Sequence, residues 1–177
     1  MSDRPADAAS FEALAIPLFA ALYNLAHWLT QDRAEAEDLL QETYLKALKG
    51  FGSFQPGTNF RAWIYRILRN TFLTSRSGLN AKMTDPLDLE EDASPAAAET
   101  PESVLLAQAD RQLVEDALER LPVPLREVIL LCDMEDMSYQ EIAEALAVPI
   151  GTVMSRLSRA RKSMRELIGA QVRGAGK

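Results

Sequence analysis

Residues 138–167 read SYQEIAEALAVPIGTVMSRLSRARKSMREL, and this stretch decides which fold the C-terminal half can adopt. Ser138 and Glu141 have the S-x-x-E spacing of a capping box, in which the hydroxyl accepts from a first-turn N–H and the carboxylate reaches back to the cap. The spacing predicts a helix starting near Tyr139. Ile142, Ala143 and Leu146 then share one face, and Ala147-Val148-Pro149 interrupts the pattern with a proline suited to the first position of a new helix. In the second helix Val153, Leu157, Ala160, Met164 and Leu167 recur at spacings of three or four and form the inward stripe. Thr152, Ser155, Arg156, Arg159 and Lys162 are assigned to the opposite face, which suits a helix lying in a major groove. A short helix, a tight turn and a basic second helix read as a helix-turn-helix. The bland alternative is an amphipathic helix with a solvated charged face.

The chain has 177 residues, enough for one ordinary domain or two small ones, and its 47% hydrophobic content allows a buried core. No uniformly apolar run of about 18 residues and no leader pattern is read from it, so a soluble cytoplasmic protein is expected. MSDRPADAAS is expected to be a loose tail. A single cysteine, Cys132, excludes an internal disulfide, and with a single histidine, His27, no zinc cluster and no other cofactor are expected. Cys132, in the run VILLC, reads as a buried small hydrophobe, and His27 beside Trp28 as a surface or packing residue of a helix.

A net charge of -7 argues against a nucleic-acid binder until its distribution is considered. Asp85, Asp88, Glu90, Glu91, Asp92, Glu99 and Glu102 are seven acids in a stretch without a base, and they account for the whole net charge. Residues 60–78 carry Arg61, Arg66, Arg69 and Arg76 and no acid, while residues 149–177 carry seven bases and one acid, Glu166. Two basic zones separated by an acidic strip point to two places of contact with phosphate.

Along the chain, residues 11–29 read as a helix with Ser10 as its cap and Pro17 as a kink or first-turn residue. A second helix spans 33–49, with Ala36, Leu40, Thr43, Tyr44 and Ala47 inward and Asp38, Gln41, Glu42 and Leu45 on another face. GFGSFQPGTN, residues 50–59, is a loop whose Phe51 and Phe54 tuck into the core. The helix over 60–75 interleaves aromatics with arginines, as a surface that holds a phosphate backbone and stacks on unpaired bases requires. Trp63 and Tyr65 can equally be core aromatics. Residues 78–100 have a linker's composition. Helical periodicity returns with Val104, Leu105, Ala109, Leu113, Ala117 and Leu118, breaks at Leu121-Pro122, and resumes over 124–132. The expected fold class is all-α: two small helical domains joined by a flexible acidic linker, the C-terminal one a helix-turn-helix.

AEAEDLLQETYLKALKGFGSF, then TNFRAWIYRILRNTF, then PIGTVMSRLSRAR occur in this order, and together they resemble the extracytoplasmic-function sigma factors of bacterial RNA polymerase, in the sigma-70 superfamily. The likeness extends over residues 11–167 apart from the linker. It implies an N-terminal tail at 1–9, sigma region 2 over 10–78, an acidic linker over 79–103, sigma region 4 over 104–170 and a C-terminal tail at 171–177. In the family the helix with the ED-L-x-Q-E motif docks on the clamp coiled coil of the largest polymerase subunit. That implies core binding through Asp38, Leu39, Gln41, Glu42 and Leu45, with the flap region as a further polymerase contact. The family's loop and following helix melt the minus 10 element and capture a flipped base, which implies Phe54, Asn59, Phe60, Arg61, Trp63, Arg66 and Asn70. The recognition helix reads the minus 35 duplex, which implies Thr152, Ser155, Arg156, Arg159 and Lys162.

The same resemblance has the acidic linker threading the polymerase cleft and RNA exit channel, and it implies promoter DNA and an anti-sigma factor as partners, without membrane insertion. Met154 departs from the pattern, since many members have a lysine there. The combination GTNFRAWIYRILRNTF and PIGTVMSRL is similar to the branch that responds to thiol-oxidative stress under zinc-containing anti-sigma factors. The alternative reading is a stand-alone helix-turn-helix regulator. An enzyme acting on nucleic acid is disfavoured, because the sequence has no G-x-x-x-x-G-K-[ST] loop, metal cluster or nucleophile-base pair.

Overall fold

The structure is a computed structural model that describes residues 4–77 and 111–175. The acidic strip and linker, residues 79–103, and the apolar positions Val104, Leu105 and Ala109 lie outside the described residues. Eight α-helices and no strand occur among the described residues. They are α1 (Arg4–Ala15), α2 (Phe19–Thr30), α3 (Arg33–Gly50), α4 (Phe60–Ser77), α5 (Arg111–Arg120), α6 (Val123–Ile129), α7 (Tyr139–Leu146) and α8 (Ile150–Ala175). Helices α1–α4 belong to one compact unit, and α5, α6 and α8 to a second.

In the N-terminal unit Pro17 does more than kink a helix. Its missing N–H ends α1 at Ala15, and a 3-10 turn over Ile16–Leu18 leads into α2. Ser10 is therefore inside α1 and not its cap, and helix extends back to Arg4 through part of the expected tail. Tyr44 donates its hydroxyl to the Ala15 carbonyl at 2.8 Å, satisfying an acceptor where α1 stops. Residues Ser10–Thr30 are, contrary to the sequence reading, long and apolar enough by composition to cross a membrane. Part of that apolar character serves a helical core: Leu22, Leu25, Ala26 and Leu29 of α2 are buried, while Ile16 and Phe19 are exposed.

Gln31 takes a left-handed conformation, φ 56°, and closes α2 with its N–H on the His27 carbonyl at 2.7 Å. Asp32 then caps α3, accepting from the Glu35 N–H at 2.9 Å. Ala36, Leu39, Leu40, Thr43 and Ala47 of α3 face α2 and α4, and the buried Thr43 hydroxyl donates to the Leu39 carbonyl at 2.7 Å. Ile64, Tyr65, Leu68 and Phe72 complete the core from α4.

The C-terminal unit packs α5 and α6 against the long α8. Leu121 and Pro122 separate α5 from α6, and the Pro122 carbonyl accepts from the Leu125 and Arg126 N–H groups at 3.0 and 2.9 Å. Beyond α6 the chain makes a π turn, Leu130–Met134, closed by the Glu135 N–H on the Leu130 carbonyl at 3.1 Å. A turn at Ala147, with φ 55°, separates α7 from α8, the succession of short helix, turn and long helix that the sequence predicts. Pro149 starts α8, its carbonyl accepting from Thr152 and Val153. The helix runs to Ala175, through most of the expected C-terminal tail.

Arg126 holds the end of α5. Its guanidinium is buried and donates to the carbonyls of Leu118, Glu119 and Leu121 at 2.8, 2.7 and 2.8 Å, acceptors that a helix end leaves without intrahelical partners. Burial pulls its pKa below the ordinary arginine value, opposed by Glu119. Arg126→Ala strands those acceptors and is expected to destabilise this unit by about 2 kcal/mol or more. Urea titration followed by far-UV circular dichroism measures the loss, while tryptophan fluorescence, which reports only on Trp28 and Trp63 of the N-terminal unit, stays unchanged. Coincident shifts in both signals would contradict the assignment.

Candidate nucleic-acid and partner interfaces

The first candidate surface is built on the start of α4. Gln55, Pro56, Gly57 and Thr58 form a tight turn in which Gly57 takes φ 86° and the Thr58 N–H donates to the Gln55 carbonyl at 3.2 Å. Proline and then glycine at the two central positions suit a type II turn. Asn59 follows as the cap of α4, its Oδ1 accepting from the Ala62 N–H at 3.1 Å. The loop thereby presses Phe54 against Phe60 and Trp63, with ring centroids 5.4 and 5.2 Å apart. Phe51 and Phe11 pack beneath the same cluster.

Of the residues assigned here, all but one keep exposed surface. Trp63, Arg66 and Asn70 lie three and four positions apart on one side of α4, with Arg66 and Asn70 exposed and Trp63 and Phe54 half-buried. Arg61 is half-buried with its guanidinium 6.0 Å from the Tyr65 ring centre. Phe60, assigned to DNA contact, is buried. Its ring meets Phe11 and Phe54 nearly edge-on, so it is the floor of the aromatic cluster rather than a ring open to a base. Tyr65 is likewise a core aromatic.

A second surface lies along α3. Asp38, Gln41, Glu42 and Leu45 are exposed at positions i, i+3, i+4 and i+7, so they form one continuous stripe, with Leu45 58% exposed. Glu42 pairs with Lys46 at 2.8 Å on the surface. Leu39 does not belong to the stripe: it is buried in the core, because it lies three residues from Ala36 and four from Thr43 on the inward face. Beside the stripe opens a cleft of about 600 Å³ lined by Phe19, Tyr23, Arg33, Glu37, Leu40, Gln41 and Tyr44. Phe19 and Leu48 are exposed apolar neighbours that the sequence reading missed. The run FEALAIPLFAALYNLAHWL has so few polar residues that periodicity could not separate its outward face from its inward one.

The third surface is α8. Val153, Leu157, Ala160 and Met164 are buried as the spacing predicts. Arg156, assigned to the outer face, is buried with them, and its side chain retains 9% exposure. It points toward Glu127 of α6, whose side chain is 2% exposed, with 3.9 Å between the closest charged atoms. The reason is geometric. An inward stripe with steps of three and four places the residue three after Val153 inside together with the residue four after it. In this structure Arg156 is therefore a buried cation beside Glu127 and not part of the exposed face. Thr152, Ser155 and Arg159 are half-exposed and Lys162 is exposed, and the Ser155 hydroxyl donates to the Thr152 carbonyl at 3.1 Å.

Met154 and Ser158, exposed on the same outer side, are additions to the expected set. Farther along, Arg161 joins Asp133 of the π turn at 3.1 Å, beside the half-buried Cys132. Burial, and then the Asp133 carboxylate, push the Cys132 thiol up to about 11, against the opposing pull of Arg161. Among the described residues no group of three or more His, Cys, Asp or Glu side chains is placed to hold a metal ion.

Comparison with known proteins gives these surfaces a context. Residues 18–80 match the family described as Sigma-70 region 2, and residues 111–164 match Sigma-70, region 4. The chain is 34% identical to the ECF RNA polymerase sigma factor SigE of Mycolicibacterium smegmatis, across 94% of this chain and 69% of that protein. It is 30% identical to the RNA polymerase sigma-H factor of Pseudomonas aeruginosa, across 96% of this chain and 91% of that protein. Among solved structures it is similar to the sigma factor RpoE in complex with the anti-sigma factor NepR from Bartonella quintana. The TM-score is 0.69 and the identity 32%, over 90% of this chain and 97% of that one. It is also similar to CnrH in complex with the cytosolic domain of CnrY, with a TM-score of 0.65 and 25% identity over 92% of this chain and 89% of that one.

The Arg156–Glu127 pair makes its own prediction. Removing one member leaves the other charge buried without its counterpart, so Arg156→Ala is expected to lower stability by about 3 kcal/mol. The double variant Arg156→Met with Glu127→Leu removes both charges and is expected to recover most of that loss. Denaturation of the two variants side by side checks this, and a double variant as unstable as the single one would show that the pair is not the cause.

Proposed function

Because the chain belongs to the extracytoplasmic-function family of RNA polymerase sigma factors, we propose that it is an alternative sigma factor that binds core polymerase and directs promoter-specific initiation. The observation that carries the reading is the pairing of two unlike nucleic-acid surfaces on separate units. On α4, Trp63, Arg66 and Asn70 stand above an aromatic floor, and on α8 a polar, basic face is presented along a long helix. Half-exposed rings with cations beside them suit unstacked bases, where stacking contributes roughly 1–3 kcal/mol per base and offsets the cost of flipping. An exposed helix face with hydroxyls and cations suits duplex in the major groove.

In this reading residues 10–78 act as region 2, which melts and reads the minus 10 element, and residues 104–170 act as region 4, which reads the minus 35 element. The strip at 79–103 joins them. Asp38, Gln41, Glu42 and Leu45 form the face for the clamp coiled coil of the polymerase. Their acidic and amide groups suit a basic partner, and Leu45 supplies apolar contact. Two weak anchors held in register by polymerase need little affinity apart, which favours a sigma factor over a stand-alone regulator. The protein works in the cytoplasm and catalyses no reaction itself. An anti-sigma factor holds it inactive, a partner class suggested by the solved complexes of RpoE with NepR and of CnrH with CnrY.

Run-off transcription with purified core polymerase on a library of promoters tests the proposal. Specific initiation dependent on this chain is the expected result, and failure either to bind core or to select promoters would overturn it. Glu42→Lys reverses a charge at the centre of the α3 stripe and is expected to weaken core binding about tenfold, corresponding to roughly 1.4 kcal/mol. Fluorescence anisotropy of labelled sigma with core measures it, and unchanged affinity would remove this face from the interface.

A further inference from the structure

The outer side of α8 begins with a feature that a phosphate-binding surface does not require. Ile150 and Met154, one turn apart, are 44% and 37% exposed, and Ser158 and Lys162 continue the line at the same spacing. Gly151 beside them is exposed, and a Cβ there would meet nothing within 4 Å, so the tip of the helix is open to close approach. The line thus runs from two apolar side chains, through a small hydroxyl, to an ammonium group. Met154 takes no part in the core stripe of Val153, Leu157, Ala160 and Met164.

We infer that Met154 is a specificity-determining residue: its thioether side chain reads the C5-methyl group of a thymine on the major-groove edge of the upstream promoter element. The inference rests on the reading of α8 as the upstream recognition helix. Two considerations favour this occupant over a protein surface or bare solvent. Residues 149–165 contain no acid, and Lys162 and Arg159 stand farther along the same side, so the face as a whole complements a polyanion. A helix entering the major groove reaches base edges with its N-terminal residues, and Met154 is the fifth residue of α8.

Among the four bases, guanine, adenine and cytosine offer the groove only hydrogen-bonding groups, whereas thymine adds one apolar group, its methyl. A thioether donates no hydrogen bond and accepts one weakly, so that methyl is the group it can recognise. The unbranched side chain adapts its rotamers to reach it. A cation at position 154 would instead be drawn to guanine or phosphate, so methionine there shifts the preferred base toward thymine.

The test uses full-length protein in holoenzyme and an upstream element obtained from the promoter library. Duplexes are synthesised with deoxyuridine in place of each upstream thymine in turn, which removes only the methyl. At one position the wild-type holoenzyme is expected to lose about fourfold in affinity, the equivalent of one buried methyl group. Met154→Ala, an exposed helical position given the best helix former, is expected to bind the two duplexes equally. Met154→Leu is expected to retain part of the discrimination. A selected element without thymine, or discrimination that persists unchanged in Met154→Ala, overturns the role of Met154 while upstream recognition itself stands. Loss of all dependence on the upstream sequence in the wild type overturns the reading of α8, and this inference with it.

Discussion

Burial of the Arg156 side chain against Glu127 constrains how the C-terminal unit can pack. A helix can turn about its axis only as far as its inward side chains allow, and here the inward set includes a charge that tolerates burial only beside its counterpart. The pair lies with Val153, Leu157, Ala160 and Met164 on the buried side of α8 and shares with them in fixing its rotation against α6. That rotation decides which residues look outward: Met154, Ser158 and Lys162 along the exposed line, with Thr152, Ser155 and Arg159 at its margins. The chemistry offered to a duplex is a consequence of how the opposite side is packed.

A comparable dependence operates in the N-terminal unit through aromatic rings. Phe60 is given up to the interior so that Phe54 and Trp63 rest on something rigid. The turn at Gly57 and the Asn59 cap deliver the loop onto the helix at the place where those rings meet. Stacking surfaces discriminate poorly when they move, so a fixed floor is worth the loss of one exposed ring. On α3 the same division holds between neighbours in sequence: Leu39 enters the core while Asp38 remains in solvent.

Most of the architecture was legible in the chain. The inward spacing of Ala36, Leu40, Thr43 and Ala47, the break at Pro122 and the helix start at Pro149 all follow from local chemistry. The exceptions have a common origin. Arg156, Leu39 and Phe60 have the chemical type or motif position of surface contacts, and the rotation of their helices places all three inside. Phe19 was missed because its helix is apolar on nearly every side, which leaves no periodic contrast to mark exposure. The helical start at Arg4 was missed because polar, alanine-rich segments read equally well as tail.

The sequence by itself determined an all-helical chain, its helix-turn-helix succession, and the segregation of its charge into two basic zones and one acidic strip, because caps, prolines and hydrophobic spacing act over a few residues. Only the tertiary structure decided which residues of each helix are surface. Exposure depends on what packs against a helix from elsewhere in the chain: the partner that lets Arg156 be buried is Glu127, nearly thirty residues earlier and on another helix. Periodicity of about 3.6 leaves the residues at the border of a stripe undecided, and contact across helices decides them.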